Sequence, residues 1–157
     1  MNPPHGLAEL QARYGALVLD RHPAGGYYIV TPTGWEVANM QLVRSPLLPT
    51  GKLFVNKDMV QPLLRALAAV GVACPDYKVR TIGCWSVRYK RTVRGDVSVH
   101  AWGLAVDINA DTNPLAAELI TDMPEAFVSA FEAEGFTWGG KFSGQKDAMH
   151  FQWVSGY

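Results

Sequence analysis

The segment Ser98 to Asn109, SVHAWGLAVDIN, places a histidine and an aspartate among small residues. His100 is one of 4 histidines in the chain, and Asp107 follows it after seven positions. If LAVDI forms a strand, its three large apolar side chains share one face, while Asp107 shares the other with Gly103 and Ala105. A carboxylate on the inner side of a sheet is costly without a partner. The pair is therefore either two hydrogen-bonded polar residues at a strand end or two metal ligands.

A second segment near the end of the chain, MHFQWV, alternates in the same way. Its apolar side chains face one side, and His150 and Gln152 face the other. With His100 and Asp107, His150 completes a His-Asp-His set of the kind that catalytic zinc accepts, with a fourth position left for water. Two histidines and one carboxylate also suit non-haem iron, so the ligand types alone do not select the metal.

Two further residue types would complete a hydrolytic site. Asp147 precedes His150 by three residues and could take the proton of a water activated by the metal. The oxyanion formed from an attacked amide needs a positive neighbour. Arg88 in CWSVRYK is the first candidate for that role, with Arg91 and Arg94 as alternates. The chemistry indicated is metal-assisted hydrolysis of an amide bond.

Two segments of the chain resemble the motifs of a known family. SVHAWGLAVDIN and DAMHF closely resemble the two signature motifs of the LAS zinc peptidases, and Ser-x-His-x-x-Gly-x-Ala-x-Asp is complete from Ser98 to Asp107. This family includes the VanY-type D-alanyl-D-alanine carboxypeptidases and phage endolysins that act as L-alanyl-D-glutamate peptidases. The sequence Trp138-Gly139-Gly140 also resembles the family's Trp-Gly-Gly before the last motif.

The resemblance assigns roles by position. It implies that His100, Asp107 and His150 bind one zinc ion per chain. It implies that Asp147 is the catalytic base, and that Arg88 steadies the substrate carbonyl.

Three more residues are candidates for substrate binding, namely Ser98, Trp102 and Trp153. For the two tryptophans, packing in the core is the alternative, because aromatic residues beside a sheet are commonly buried.

The elements that must position these residues predict an α+β fold, with a small antiparallel sheet flanked by helices. The resemblance to the LAS family implies in addition that zinc lies in a cleft on this sheet. Helices do not alternate regularly with strands, which argues against a parallel sheet. Three helices are predicted, over residues 7–17, residues 56–71 capped by Asn56 and stopped by Gly71, and residues 122–135 capped by Asp122 and stopped by Gly135. Strands are predicted over residues 52–55, 77–87, 104–108, 136–138 and 149–154.

Length and composition restrict the function classes. The 157 residues fit one domain, 1–157, and we expect residues 1–50 to form an N-terminal extension packed on a catalytic core of residues 51–157. Lys+Arg and Asp+Glu are both 14, so the chain lacks the basic excess typical of nucleic-acid binding. The 2 cysteines, Cys74 and Cys84, are too few for a disulfide framework, and we expect free thiols.

The function expected from the sequence is a phage-type endolysin that cuts the L-Ala–D-Glu bond of peptidoglycan stem peptides. A D-alanyl-D-alanine carboxypeptidase and a non-catalytic zinc-containing binding domain are the alternatives. No signal peptide and no membrane-spanning run is visible. We therefore expect a monomer made in the host cytoplasm that acts on the cell wall after release.

Overall fold

The computed structural model describes residues 1–26, 28–31, 33–91 and 95–157. Its N-terminal third contains short helices and two hairpins: α1 (Gly6–Tyr14), β1 (Val18–Arg21), β2 (Tyr28–Thr31), α2 (Trp35–Asn39), β3 (Met40–Arg44) and β4 (Lys52–Asn56). The rest of the chain contains α3 (Val60–Ala73), β5 (Ile82–Gly83), β6 (Ala105–Ile108), β7 (Leu115–Ala116), α4 (Glu125–Ala133), β8 (Thr137–Trp138), β9 (Lys146–Asp147) and β10 (His150–Gln152).

The strands pair only in the antiparallel sense in the described part of the chain. A four-stranded sheet has the order β5-β6-β10-β8, and three further pairs are β1-β2, β3-β4 and β7-β9. Mixed helices and small antiparallel sheets confirm the predicted α+β class. The four-stranded sheet carries both sequence motifs, so its register decides which of their side chains meet.

Helical structure begins after Asn56 as predicted, first as a 3-10 turn (Lys57–Met59) and then as α3, and it ends later than predicted. Asn56 caps the short 3-10 turn before it, since its side chain accepts a hydrogen bond from the Asp58 amide at 3.1 Å. The prediction that Gly71 stops the helix is wrong, because the helix runs on to Ala73. An exposed glycine costs a helix only about 1 kcal/mol, whereas Pro75 excludes the helical conformation at Cys74.

Helix α4 begins later than its sequence predicts and ends close to the predicted position. It begins at Glu125, so the prediction of Asp122 as its cap is wrong. The Asp122 carboxylate instead accepts hydrogen bonds from Tyr77 Oη at 2.7 Å and Asn113 Nδ2 at 2.9 Å. The predicted stop is close to correct: the helix ends at Ala133, and Gly135 adopts the left-handed conformation, with φ of +87°.

The strand predicted over residues 77–87 is largely wrong, because only Ile82–Gly83 pairs with β6. In the residues that precede this pair, the side-chain oxygen of Asn109 accepts hydrogen bonds from the backbone amides of Arg80 and Thr81. A buried side chain thus replaces a neighbouring strand as the hydrogen-bond partner of this segment. Beyond the pair, the backbone is bonded to the 3-10 turn and loop that hold His100.

The N-terminal segment is bonded to the rest of the chain at several points. Tyr14 Oη donates to Asp58 Oδ2 at 2.9 Å, and Trp102 Nε1 donates to the Gly15 carbonyl at 3.1 Å. Strand β3 pairs with β4 across the predicted boundary at residue 50, which lies in the turn between them. The division into an extension and a core remains a prediction.

Two other observations bear on the chain as a whole. Cys74 and Cys84 are free thiols, as the sequence predicts, and both are buried. Within the described residues, no helix combines the length and the apolar character needed to cross a bilayer.

Candidate metal centre

His100 lies on a short 3-10 turn, Val99–Trp102, rather than on a strand. The Ser98 carbonyl accepts the Ala101 amide at 2.8 Å, and the turn ends at Gly103, whose φ is +66°. A Cβ at Gly103 would lie 2.5 Å from the Met40 side chain and 2.9 Å from the backbone nitrogen of Asn56. The glycine of the first motif is therefore required by conformation and by close packing.

Asp107 and His150 are direct neighbours across the sheet. They are Cα partners in the antiparallel pairing of β6 with β10, so their side chains leave the sheet on the same face. The alternation inferred from sequence is confirmed here, since Val106 and Phe151, the next pair in register, are fully buried on the opposite face.

Three potential ligand atoms converge on one point. His100 Nε2 lies 3.1 Å from Asp107 Oδ1 and 3.2 Å from His150 Nδ1, and the last two atoms are 3.0 Å apart. Tetrahedral ligands about 2.0–2.1 Å from zinc are roughly 3.3–3.4 Å from each other. The triangle is therefore close to the size that a tetrahedral zinc ion needs, and the three residues fit such an ion.

The hydrogen bonds behind the ligands fix the histidine tautomers. His100 Nδ1 lies 2.6 Å from the Cys84 carbonyl, which can only accept, so this nitrogen carries the hydrogen. His150 Nε2 lies 3.1 Å from Gln152 Oε1. Gln152 Nε2 donates to the carbonyls of Val154 and Tyr157, both at 3.1 Å, which fixes the orientation of the amide. Both rings thus turn an unprotonated nitrogen towards the metal position, the arrangement that ligating histidines need.

The charges within this triad are strongly coupled. Burial alone would raise the pKa of Asp107, but the hydrogen bonds and charges of His100 and His150 bring it below its usual range. Burial opposes protonation of His150, but its hydrogen bond to Asp107 raises its pKa above the ordinary histidine value. A proton therefore competes with a metal for the His150 nitrogen.

Asp147 lies on β9, half-buried beside the triad. Its Oδ1 is buried, and it has no hydrogen-bond partner among the residues that the structure describes. Burial, more than any neighbouring charge, raises the pKa of this carboxyl. A buried carboxylate oxygen without a partner is expensive, which is consistent with an atom that receives a water or substrate proton.

The glycines after Trp138 have packing roles around Asp147. A Cβ at Gly139 would lie 2.5 Å from the Asp147 carbonyl oxygen and 3.2 Å from His150 Cβ. A Cβ at Gly140 would lie 2.4 Å from the Trp138 ring. The Trp-Gly-Gly signature thus lets a 3-10 turn (Gly139–Lys141) lie directly against two site residues.

A cavity of about 300 Å³ opens beside the triad. Asp107, His150 and Asp147 all reach it, and Ser98 lines it as well. Its lining is completed by basic, apolar and polar side chains, namely Arg88, Lys90, Arg91, Val99, Leu115, Phe142, Ser143, Met149, Gln152 and Tyr157. The arrangement brings a metal position, an unpartnered carboxylate and cationic groups to one cleft.

Of the candidate arginines, Arg88 and Arg91 both line this cavity, and Arg94 lies outside the described residues. Arg88 Nη1 donates to the Tyr89 carbonyl at 3.3 Å. Burial is the main cause that lowers the pKa of Arg88, and the charge of Arg91 adds to it.

The expectation that Trp102 and Trp153 bind substrate needs correction. Each side chain is 1% exposed, and neither is part of the cavity wall. Trp102 Nε1 donates to the Gly15 carbonyl and Trp153 Nε1 to the Glu134 carbonyl, both at 3.1 Å. Both rings are therefore packed in the core, which is the alternative that the sequence left open.

The sequence does not assign a role to Gln152 and Tyr157, two cavity residues whose hydrogen bonds orient His150. Gln152 had a usable signal, since its alternation with His150 already placed it on the polar face. Tyr157 had none, because only the return of the chain after β10 brings its carbonyl to the Gln152 amide.

In the described part of the chain, a largely buried His-Asp-His triad lies beside a carboxylate oxygen without a hydrogen-bond partner, an arrangement that suits a metal-dependent hydrolase. Residues 91–153 match the family model described as D-alanyl-D-alanine carboxypeptidase, which confirms the resemblance of this segment to LAS-type zinc peptidases. The matched segment contains the three candidate ligands and Asp147. No curated protein and no solved structure matches the chain.

Proposed function

We propose that this protein is a zinc-dependent peptidase acting on bacterial peptidoglycan. The observation that carries the proposal is a zinc-sized His100-Asp107-His150 triangle beside Asp147, whose buried Oδ1 has no hydrogen-bond partner among the described residues. The family match over residues 91–153 supplies the kind of bond and the kind of substrate. Both parts are needed, because a metal triad alone also suits other chemistries.

Bound zinc would supply a Lewis acid that polarises the amide carbonyl and makes a water molecule easier to deprotonate. Asp147 takes that proton as the water oxygen attacks the carbonyl carbon. The same carboxyl then gives the proton to the amide nitrogen as the C–N bond breaks, so the products are an acid and an amine. Its raised pKa suits the first of these steps, since a carboxylate that binds a proton more readily is a better base.

Arg88 is the side chain that we propose stabilises the developing oxyanion. It lines the cavity, and the charges of Asp107 and Asp147 act on it, so it lies near both site carboxylates. Its partial burial strengthens its interaction with a new negative charge. Ser98 lies on the same cavity wall and is proposed to contact the substrate backbone.

For the bond cleaved, we propose the L-Ala–D-Glu bond of the stem peptide, as in a phage-type endolysin released to the cell wall. The second candidate is removal of a terminal D-alanine, which the description of the matched family favours. A non-catalytic zinc-containing binding domain is disfavoured by Asp147, because such a domain has no use for an unpartnered carboxylate at its metal.

Mass spectrometry of purified peptidoglycan treated with the zinc-loaded protein tests the proposal, with a chelator-treated sample as control. Fragments that begin with D-Glu are expected for the endolysin. Loss of a single D-alanine without such fragments would instead establish the carboxypeptidase. Zinc bound at one per chain with neither product would overturn the proposed function.

A further inference from the structure

Tyr157 is bonded to the metal centre through its backbone and to a neighbouring segment of the cavity wall through its side chain. Its carbonyl accepts a hydrogen bond from Gln152 Nε2 at 3.1 Å, and Gln152 in turn holds His150. Its hydroxyl donates to the Val97 carbonyl at 2.7 Å. Tyr157 also lines the cavity, so it joins the sheet that carries the candidate ligands to a segment beside them.

The segment that contains Val97 is paired with the segment that contains Arg88. Tyr89 and Val97 form an antiparallel bridge. The Ser98 amide donates to the Arg88 carbonyl at 3.0 Å, and Arg88 Nη1 donates to the Tyr89 carbonyl at 3.3 Å. A hydrogen bond that fixes Val97 therefore also restrains the backbone from which the Arg88 side chain extends.

The ring of Tyr157 has contacts that do not involve its hydroxyl. Lys90 Nζ lies 3.5 Å from the centre of the ring. The ring also packs edge to face against Trp102, with centroids 6.3 Å apart, and Trp102 belongs to the 3-10 turn of His100. These contacts should keep the ring in place when the hydroxyl alone is removed.

The backbone before Tyr157 is held by residues that do not line the cavity. The Ser155 amide donates to the Pro4 carbonyl at 3.0 Å, and the Gly6 amide donates to the Ser155 carbonyl at 2.7 Å. His5 Nδ1 lies 3.0 Å from Ser155 Oγ. The position of the Tyr157 backbone is therefore set independently of its hydroxyl.

We infer that Tyr157 is a positioning residue, whose hydroxyl holds the segment of Arg88 so that the guanidinium stays where the oxyanion forms. This inference rests on the proposed function, and it adds a residue to which the proposed mechanism gives no part. Without the hydroxyl bond the segment samples more positions, and only a fraction of them allow Arg88 to meet the oxyanion. The affinity for a group at that place falls in proportion to this fraction.

Two uncleavable analogues of the substrate test this inference by calorimetry with the zinc-loaded protein. Both are built on the bond that digestion of peptidoglycan identifies. In the first, a phosphinate replaces the scissile amide and carries the charge of the transition state. In the second, the scissile carbonyl is reduced to CH₂, so that no oxygen is present there. A change that acts through Arg88 should affect the first analogue and not the second.

Tyr157→Phe removes the hydroxyl and keeps the ring and the carbonyl. The net contribution of one hydrogen bond reaches about tenfold in an equilibrium constant, so we expect the phosphinate to bind about fivefold more weakly. The affinities for the reduced analogue and for zinc should equal those of wild type, because the bond from Gln152 uses the carbonyl. With the cleavable peptide, kcat should fall by a similar factor at nearly constant KM.

A double-mutant cycle tests whether Tyr157 acts through Arg88. In an Arg88→Gln background, Tyr157→Phe should have no further effect on phosphinate binding, because the group that it positions is absent. Tyr14→Phe is the matched control, since it removes a hydroxyl that donates to Asp58 at 2.9 Å outside the cavity. This variant should bind both analogues like wild type.

The outcomes separate this inference from the proposed function. Phosphinate affinity equal to wild type in Tyr157→Phe, or an equal loss in the Arg88→Gln background, would overturn the positioning role while the peptidase stands. Equal weakening of both analogues would show a general structural role and would overturn it too. If the zinc-loaded wild type cuts no peptidoglycan bond, the proposed function fails and this inference fails with it.

Discussion

At the scale of single residues, the hydrogen bond from His150 to Gln152 sets the ligand nitrogen. Gln152→Leu removes the acceptor, so the ring loses the partner that keeps the hydrogen on Nε2. Loss of such an outer partner weakens metal binding by about 10–100-fold. We expect that decrease in a competition titration with a chromophoric chelator, and Gln152→Glu should retain most of the affinity.

Gln41→Leu is the matched control, since Gln41 is exposed on β3 and distant in sequence from the site. Zinc affinity equal to wild type in Gln152→Leu would show that the sheet alone orients His150. A loss in the control of similar size would show that the assay reports general destabilisation.

At the scale of elements, the 3-10 turn at Gly139 must lie against β9 and β10. Gly139→Ala would put a Cβ 2.5 Å from the Asp147 carbonyl oxygen, so the turn must move away from the site. Overpacking of this kind costs about 1–3 kcal/mol. We expect a lower midpoint in urea unfolding together with a lower turnover rate.

Gly144→Ala provides the comparison for the same loop. A Cβ there meets nothing within 4 Å, and the residue is exposed. This variant should unfold and turn over like wild type. If both alanine variants behave alike, the close approach at Gly139 does not affect the free energy of unfolding. The Trp-Gly-Gly signature would then need another explanation.

The elements also show which parts of the fold follow from the sequence. Alternation in LAVDI and MHFQWV placed Asp107 and His150 on polar faces, and the period-two rule needs only local sequence. It did not place His100 on a 3-10 turn, because that turn depends on Gly103 fitting against Met40. It overextended the strand at 77–87, because the partner of that backbone is the side chain of Asn109, far along the chain.

At the scale of the whole molecule, tyrosines link distant parts of the chain. Their raised pKa values should make the free energy of unfolding fall at alkaline pH. Tyr14 on α1 is buried and donates to Asp58, and burial is the main cause that raises its pKa. The unfolded chain, with an ordinary tyrosine pKa near 10, therefore loses this proton first as pH rises. The stabilisation is complete below about pH 10 and is lost as pH rises towards the folded pKa.

Urea unfolding between pH 8 and 11.5 checks this expectation. The free energy of unfolding should fall with pH in the wild-type protein, and more gently in Tyr14→Phe. Part of the slope should remain in that variant, since burial also raises the pKa of Tyr157 to about 12. An identical slope in both proteins would show that Tyr14 does not contribute to the pH dependence of stability.

The correction at Trp102 and Trp153 belongs to this scale as well. Both lie within or next to the sequence motifs, which made them candidates for the cleft. Their rings point instead into a core that includes the N-terminal segment, and no local pattern reveals where that segment packs. Long-range packing therefore decided what the motifs alone left open.

The most direct test of the central claim compares wild type with Asp147→Asn at equal zinc content. Released amino groups are counted in purified peptidoglycan, with zinc per chain measured on the same samples. The account predicts one zinc in both proteins, with amine release by wild type that a chelator abolishes and zinc restores. Asp147→Asn should release almost none, because its amide cannot accept the proton. Equal release by the two proteins, or none by zinc-loaded wild type, would contradict it.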